Sequence, residues 1–355
     1  MKRYRVAQVG VGARGGRHIE GFLRNPDRFE LVALSAKTRD NIDLVAKEYG
    51  IANTYTDAEQ MLKEMQPDVL CFVTPPSVRL EMVELAAKYG VKGLAFEKPM
   101  ATSLREAKTI TDLCVKNGIK AIVSHQQKYL PSMQKLKEFV WSGDIGDVVN
   151  MHATTWAWLS QLGTHFMDYS MWINQGAKAK WVVGHVHGKT KLSDSHPAPD
   201  YILGEACFTN GVRGYIECGY IAPSHTGREN FWLDNRLMVH GTHGYAWAET
   251  DGRWAAFTKS SKGELLSGIG DPWKVQEREG LQAPYLRDLA DWLDDDSKVH
   301  PCNVEISYHG YEILEGLCLS ALNQTRIDLP LDTAECDDTF ERMRRILPDV
   351  PPMRE

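Results

Sequence analysis

The N-terminal stretch of the chain joins an apolar, β-branched run to a glycine-rich turn and then to an amphipathic helical pattern. Gly10, Gly12 and Gly15 follow the strand-like residues 5–9 with the spacing G-x-G-x-x-G. In this motif the first glycine makes the turn and the second lets the backbone approach a pyrophosphate, while the third lets the helix pack close to the strand. A glycine-rich turn with only a structural role is the alternative. The order strand, turn, helix predicts a dinucleotide-binding domain.

Strand-like and helix-like segments alternate with short connections as far as residue 124. This alternation is typical of a doubly wound parallel sheet, in which strands buried on both faces are continuously apolar. We therefore expect an α/β Rossmann domain over residues 1–124. After its first strand, further strands are expected at 29–36, 68–74, 93–97 and 119–124.

The pattern changes after residue 124, because strands dominate from Trp181 to about Phe257. The clearest sign is the dipeptide Asn210-Gly211 between two alternating apolar runs, which predicts a β-hairpin. We expect residues 125–355 to form an α+β domain with a large, mostly antiparallel sheet, used for substrate binding and oligomerisation. If helices cover only one face of this sheet, the other face suits a symmetric partner.

The net charge of −6 without a basic block argues against nucleic acid or an anionic membrane as a partner. No apolar run approaches 18 residues and no signal-peptide cleavage pattern follows the N-terminus, so we expect a cytoplasmic protein. The seven cysteines include no C-x-x-C pair and are expected to be buried free thiols. His185 and His187 share a strand face, but no third ligand is evident and no metal is expected.

The end of the second predicted strand bears on the choice of cofactor. An acidic residue commonly stands there to bind the ribose 2′-hydroxyl, but this chain has Ala36. Ser35, Lys37 and Arg39 surround it, and hydroxyls and cations suit a 2′-phosphate. The alternative is a solvated loop in which Asp40 or a backbone group contacts an unphosphorylated ribose. We expect NAD(P)(H), with NADP(H) favoured.

Glu97-Lys98-Pro99 ends a buried strand at the carboxyl edge of the sheet, where the nicotinamide is expected. A desolvated ammonium beside a hydroxyl donates a hydrogen bond and stabilises alkoxide character, so Lys98 is a candidate catalytic residue. A salt bridge from Lys98 to Glu97 or to the cofactor is the alternative.

Several short motifs occur in a fixed order along nearly the whole chain, and together they resemble the glucose–fructose oxidoreductase / inositol dehydrogenase (Gfo/Idh/MocA) family. The resemblance implies NAD(P)-dependent oxidation or reduction of a hydroxyl in a sugar, a sugar derivative or a cyclitol, by a homo-oligomer (a dimer or tetramer). The motifs are GVGARG at 10–15, TPP at 74–76, EKP at 97–99, HQQKYLP at 125–131, SGDIGDV at 142–148, GTHFMD at 163–168 and IDLPL at 327–331.

The resemblance assigns the family's lysine to Lys98 and its catalytic histidine to His165, whose alternative role is that of a core histidine. The family often has an aspartate four residues before this histidine, where Gln161 stands here, and this departure leaves the substrate subclass open. Asp168 shares a helix face with His165 and Tyr169. It either orients the imidazole or is a helix-surface acid.

Trp156 and Trp158 alternate onto one strand face and form either a platform for sugar C–H groups or ordinary sheet packing. The predicted catalytic residues are Lys98, His165 and Asp168. The predicted cofactor-binding residues are Gly10, Gly12, Ala13, Arg14, Gly15, Ser35, Lys37, Arg39, Thr74, Pro75, Glu97, Lys98 and Gln126. The predicted substrate-binding residues are Lys98, Tyr129, Trp158, His165 and Tyr169.

Taken together, these features predict an oxidoreductase that transfers a hydride between nicotinamide and a carbinol carbon. One alternative is a glycoside-cleaving enzyme of the same fold, which oxidises, eliminates and re-reduces on a retained NAD. Another is a non-enzymatic regulator that senses the dinucleotide, and the presence of both Lys98 and His165 counts against it.

Overall fold

Residues 2–194, 196–227, 230 and 232–350 are described by the structure, a computed structural model. They divide into two compact units, the first comprising residues 2–126 and 274–308 and the second residues 127–273 and 309–350. The strands are β1 Tyr4–Val9, β2 Phe29–Ser35, β3 Asn53–Tyr55, β4 Val69–Phe72, β5 Gly93–Phe96, β6 Lys120–Val123, β7 Val148–Thr155, β8 Ala179–His187, β9 Tyr201–Phe208, β10 Arg213–Gly219, β11 Asn235–Gly241, β12 Tyr245–Ala248, β13 Arg253–Phe257, β14 Leu266–Ile269 and β15 Ile327–Asp328.

The helices of unit 1 follow the predicted amphipathic patterns, and two of them begin at residues that cap their free N–H groups. Asp57 accepts a hydrogen bond from Gln60 N ahead of α3, and Ser103 accepts one from Glu106 N ahead of α5. The helices of the chain are α1 Ala13–Leu23, α2 Arg39–Tyr49, α3 Ala58–Met65, α4 Arg79–Lys88, α5 Leu104–Lys116, α6 Pro131–Trp141, α7 Thr164–Ile173, α8 Trp273–Glu279, α9 Gln282–Asp294, α10 Val304–Asn323 and α11 Thr339–Ile346.

In the described part of unit 1, six parallel strands lie in the order β3-β2-β1-β4-β5-β6. The central strands β4 and β5 are buried along their whole length, as expected for parallel strands covered by helices on both faces. The strand order reverses between β1 and β4, the place where a doubly wound sheet binds ligands at the carboxyl ends of its strands. The predicted Rossmann architecture is confirmed.

A segment from late in the chain, residues 274–308, completes unit 1. Its helix α9 packs against α1 so closely that a Cβ atom on Gly21 would lie 2.7 Å from Gln282 Cβ. Arg28, which is fully buried, forms ion pairs with Asp291 and, at 2.6 Å, with Asp294. The sequence-based division at residue 124 assigned this segment to the second domain. The difference arises because packing between residues more than 250 positions apart leaves no local pattern.

Nine strands of the described part of unit 2 form a sheet in the order β14-β13-β12-β11-β7-β10-β9-β8-β15. β7 and β10 are parallel and the other neighbouring strands are antiparallel, which confirms the predicted class of sheet. The predicted turn joins β9 to β10 at Gly211, whose φ is +87°. The helix α10 packs on β9, where a Cβ atom on Gly204 would lie 2.6 Å from Leu317 Cδ2.

Within the described residues, no helix combines the length and the apolar character that crossing a membrane requires. All seven cysteines are buried free thiols. The cytoplasmic location stays a prediction.

Candidate active site

The three glycines of the N-terminal motif have different surroundings in unit 1. Gly10 has a φ of +92°, and a Cβ atom there would lie 2.2 Å from Val73 O. A Cβ atom on Gly15 would lie 2.3 Å from Gly10 O, whereas one on Gly12 would meet no atom within 4 Å. Gly10 therefore makes the turn, Gly15 permits close packing, and space is left over Gly12 and Ala13 at the N-terminus of α1. Open space beside free helix N–H groups fits a dinucleotide pyrophosphate.

A cleft of about 550 Å³ opens at the carboxyl edge of the same sheet. Five predicted cofactor-binding residues line it, namely Gly10, Ser35, Lys37, Thr74 and Pro75. Arg39, the first residue of α2, donates instead to Thr54 Oγ1 at 2.9 Å.

Three carboxylates that sequence reasoning missed also line this cleft, namely Asp57, Glu59 and Glu81. Two of them are engaged by neighbouring groups, because Asp57 accepts from Gln60 N at 2.8 Å and Glu59 accepts from Tyr89 Oη at 2.9 Å. Lys37 thus supplies a cation, and Ser35 a hydroxyl, on the side of the cleft that follows β2.

Arg14 and Glu97 form the centre of a cluster of hydrogen-bonded side chains. This cluster connects the glycine turn to the end of β5. Glu97 accepts from Arg14 Nε at 2.9 Å and lies 2.9 Å from His18 Nε2. Burial opposes its ionisation, but the charge of Arg14 and the hydrogen bond with His18 hold the pKa of Glu97 well below its ordinary range. Arg14 also pairs with Glu277 of α8.

Gln126 completes this cluster. In the orientation of its amide that suits its neighbours, the nitrogen donates to Ser124 Oγ at 3.0 Å and the oxygen accepts from Arg14 Nη2. Three predicted cofactor-binding residues, Arg14, Glu97 and Gln126, therefore lie together. His18 and Glu277 belong with them, although nothing in their local sequence indicated it.

Lys98 is half-buried at the carboxyl end of β5. Burial lowers the pKa of its ammonium to about 8, against the attraction of Glu97 and with the repulsion of Arg14 and Arg79. The negative charge of Glu97 beside Lys98 fits the salt-bridge interpretation. The lowered pKa of Lys98, however, lies in the range in which side chains act as general acids and bases.

In unit 2, the buried imidazole of His165 belongs to a short chain of hydrogen bonds. Tyr169, one turn later on α7, lies with its Oη 2.8 Å from His165 Nδ1 and donates to Gln127 Oε1 at 2.9 Å. Because the single phenolic proton goes to Gln127, the phenolic oxygen accepts from Nδ1–H. This tautomer puts the lone pair of the imidazole on Nε2. Tyr169 is itself fully buried.

Asp168 lies in a buried ion pair, 2.5 Å from Lys128 Nζ, with side-chain exposures of 1% and 0%. The interpretation of Asp168 as a helix-surface acid is therefore wrong. Its partner was missed because a lysine in the short 3₁₀ turn 126–129 carries no sequence sign of burial. A buried carboxylate needs such a partner, since an uncompensated charge in the interior is costly.

The aromatic residues that precede α7 have separate surroundings. Trp156 is buried and donates from Nε1 to Tyr220 O at 3.2 Å, as sheet packing predicts. Trp158 is 8% exposed, and Lys191 Nζ lies 4.2 Å from its ring centroid. Tyr129 is half-buried at the end of the turn 126–129.

The two histidines considered as metal ligands, His185 and His187, are exposed on β8. Over the residues that the structure describes, no group of three or more histidine, cysteine, aspartate or glutamate side chains is arranged to hold a metal ion.

The fold and the glycine turn define a dinucleotide-binding protein of the Rossmann class, and comparison with known proteins agrees. Residues 4–125 match the GFO_IDH_MocA family, described as "Oxidoreductase family, NAD-binding Rossmann fold". This match covers about a third of the chain, and it confirms the resemblance to the Gfo/Idh/MocA oxidoreductases inferred from the motifs.

Curated relatives include a D-apiose dehydrogenase from Paraburkholderia graminis, 29% identical over 146 residues that cover 41% of this chain and 38% of that protein. A scyllo-inositol 2-dehydrogenase (NAD(+)) from Bacillus subtilis is 24% identical over 283 residues, which cover 75% of this chain and 80% of that protein. The match to the apiose enzyme thus spans less than half of that protein.

Among solved structures, an NAD binding oxidoreductase from Klebsiella pneumoniae superimposes with a TM-score of 0.79 at 17% identity, covering 93% of this chain and 100% of that one. A levoglucosan dehydrogenase in complex with NADH and L-sorbose gives a TM-score of 0.78, also at 17% identity, with coverages of 94% and 100%. At this identity the likeness shows the fold.

Proposed function

We propose that this protein is an NAD(P)-dependent dehydrogenase that transfers a hydride between nicotinamide and a hydroxyl-bearing carbon of a sugar, a sugar derivative or a cyclitol. The observation that carries the proposal is the pairing of a dinucleotide cradle with Lys98 at the carboxyl edge of the same sheet. Relatives named as apiose, scyllo-inositol and D-glucoside dehydrogenases support this substrate class.

His165 is the general base in this proposal. Histidine side chains titrate near neutral pH, and the Nδ1–H bond to Tyr169 leaves the lone pair on Nε2 to accept the carbinol proton. Tyr169, being buried, contributes by holding the imidazole. When bound, the nicotinamide accepts or supplies the hydride.

Lys98 polarises the substrate oxygen. As an ammonium it donates a hydrogen bond that strengthens while negative charge develops on that oxygen, so it stabilises the transition state more than the ground state. With a pKa of about 8, Lys98 is the alternative base. The pH–rate profile of His165→Asn distinguishes the two assignments, because a Lys98 base retains its ionisation near pH 8.

A panel of polyols, aldoses and cyclitols tests the activity, with NAD⁺ and NADP⁺ each supplied and reduction followed at the nicotinamide absorbance. We expect turnover with at least one member of the panel. Release of a free sugar from a glycoside without net change in absorbance would instead support the glycoside-cleaving alternative.

We also propose that NADP(H) binds at least as tightly as NAD(H). The cleft presents Lys37 and Ser35 where an acidic residue would repel a 2′-phosphate, and position 36 is an alanine. Titration of both reduced cofactors by fluorescence, with Lys37→Gln alongside, tests this. The variant should weaken NADPH binding and leave NADH binding unchanged, whereas a clear preference of the natural chain for NADH would contradict the proposal.

Finally, we propose a homo-oligomer formed through one face of the nine-stranded sheet. The strand register places Tyr215, His152, Met238 and Trp247 side by side across four strands. These side chains are half-buried or exposed, whereas the alternate positions on the same strands are buried. Light scattering at micromolar concentration should give a dimer or tetramer, and a monomeric mass would contradict this arrangement.

A further inference from the structure

The turn after β4 carries a buried arginine that the proposed chemistry has not used. Arg79 is the first residue of α4 and is only 2% exposed, although it is a cation. Burial lowers the pKa of its guanidinium to about 10, against the attraction of Glu97 and Glu106. Burying a cation is costly unless acceptors or opposite charges compensate it.

Arg79 connects the ends of two neighbouring strands. Its Nη2 donates to Thr74 O at 2.9 Å and lies 3.4 Å from Lys98 O. Thr74 belongs to the turn that follows β4, and Lys98 to the turn that follows β5. Since β4 and β5 are adjacent parallel strands, one guanidinium nitrogen spans the two turns at the carboxyl edge of the sheet.

The charge of Arg79 is not neutralised by a paired carboxylate. Among the described residues, neither its Nε nor its Nη1 has a hydrogen-bond partner, and the same holds for Thr74 Oγ1. Glu97, the acid that attracts it, is already engaged by Arg14 and His18. Because the guanidinium is buried, water screens its charge poorly, and the charge acts on neighbouring ionisable groups.

Lys98 is one of the groups on which this charge acts. Among the charged side chains that act on its ammonium, Glu97 favours the protonated form, whereas Arg14 and Arg79 disfavour it. Arg14 lies at the start of α1 and is shared among Glu97, Glu277 and Gln126. Arg79 contacts the Lys98 backbone itself.

We propose that Arg79 is a positioning residue for Lys98: its guanidinium ties the turn after β4 to the turn after β5 and holds a positive charge beside the lysine. The inference rests on the proposed function of Lys98 in hydride transfer. Because Arg79 fixes the backbone of the turn after β5, it determines where the Lys98 ammonium meets the substrate oxygen. Its positive charge repels that ammonium and so favours loss of the Lys98 proton.

The test measures the ionisation of Lys98 in the full chain without cofactor or substrate. Lysines are reductively methylated with ¹³C-formaldehyde, the Lys98 resonance is assigned by its loss in Lys98→Arg, and its shift is followed against pH. Arg79→Gln and Arg79→Met are compared with the natural chain. Arg287→Gln, which removes an exposed arginine paired with Asp27 in the same unit, is the matched control.

Both Arg79 variants should raise the Lys98 pKa by at least about half a pH unit, and the control should leave it unchanged. The Met variant keeps the test available if the Gln variant does not fold, because methionine has a similar length and buries no polar group. Identical Lys98 titrations in the natural chain and in a folded Arg79 variant would overturn the proposal.

This readout does not depend on turnover, so a failure to find any polyol substrate leaves it standing and counts only against the proposed function. On a confirmed substrate, Arg79→Met should move the alkaline limb of the kcat–pH profile upward. A merely structural arginine would lower the thermal midpoint and leave that limb in place.

Discussion

Removing the carboxylate of Asp168 should destabilise unit 2 strongly. Asp168→Asn leaves the Lys128 ammonium buried without its counter-charge, and breaking a buried ion pair from one side costs about 3–5 kcal/mol. For a unit of this size, 1 kcal/mol shifts the thermal midpoint by about 2–4 °C, so a fall of roughly 6–20 °C is expected. Calorimetry and denaturant titration of the same proteins measure it.

Replacing both members of the pair should restore most of this loss. Lys128→Met combined with Asp168→Val exchanges two buried charges for apolar side chains of roughly similar volume, a change that is often neutral or stabilising. The matched control is Asp112→Asn, which breaks the exposed Lys108–Asp112 pair and should change stability by no more than about 1 kcal/mol.

A stabilising Lys128–Asp168 ion pair is contradicted if Asp168→Asn melts together with the control, or if the double variant is no more stable than the single one. If the double variant is stable, its activity then shows whether Asp168 also orients His165. Full activity would assign it a structural function, and lost activity with an intact fold would support a function in orienting His165.

Two further predictions concern burial and close packing. Burial raises the pKa of Glu315 from 4.5 to about 7, so its contribution to stability is present at low pH and is lost as pH rises through 7. Glu315→Gln should therefore stabilise the protein by up to about 3 kcal/mol at pH 8 and little at pH 4.5; equal gains at both pH values would contradict this. Gly15→Ala should cost about 1–3 kcal/mol because its Cβ meets Gly10 O, whereas Gly12→Ala should keep its thermal midpoint and lose dinucleotide affinity. Unchanged dinucleotide affinity in Gly12→Ala would contradict the pyrophosphate assignment.

The sequence was informative wherever one local pattern determines a feature. The glycine spacing, the apolar run that ends at Lys98 and the Asn210-Gly211 turn each depend on neighbouring residues, and the structure has all three elements where they were predicted. The bounds of the strands predicted at 29–36, 68–74, 93–97 and 119–124 agree with the structure to within a few residues for the same reason, since an apolar run is local.

The rest depends on residues far apart in the chain. Lys128 and Arg79 are buried cations in short 3₁₀ or helix-start segments, and lysine and arginine there are ordinarily exposed. Glu277 reaches Arg14 only because residues 274–308 return to unit 1. The surface-acid alternative for Asp168 failed likewise, because helical spacing gives the face on which an acid lies but not what covers that face.

The most direct test of the central claim is the rate of hydride transfer in His165→Asn on a confirmed substrate, with dinucleotide affinity measured alongside. His185→Asn, a change at an exposed histidine of β8, is the control and should behave as the natural chain does. We predict that kcat falls by about 10²–10⁴-fold in His165→Asn while the dinucleotide Kd stays unchanged and the protein remains folded. A kcat near that of the natural chain would contradict the assignment of His165 as the base.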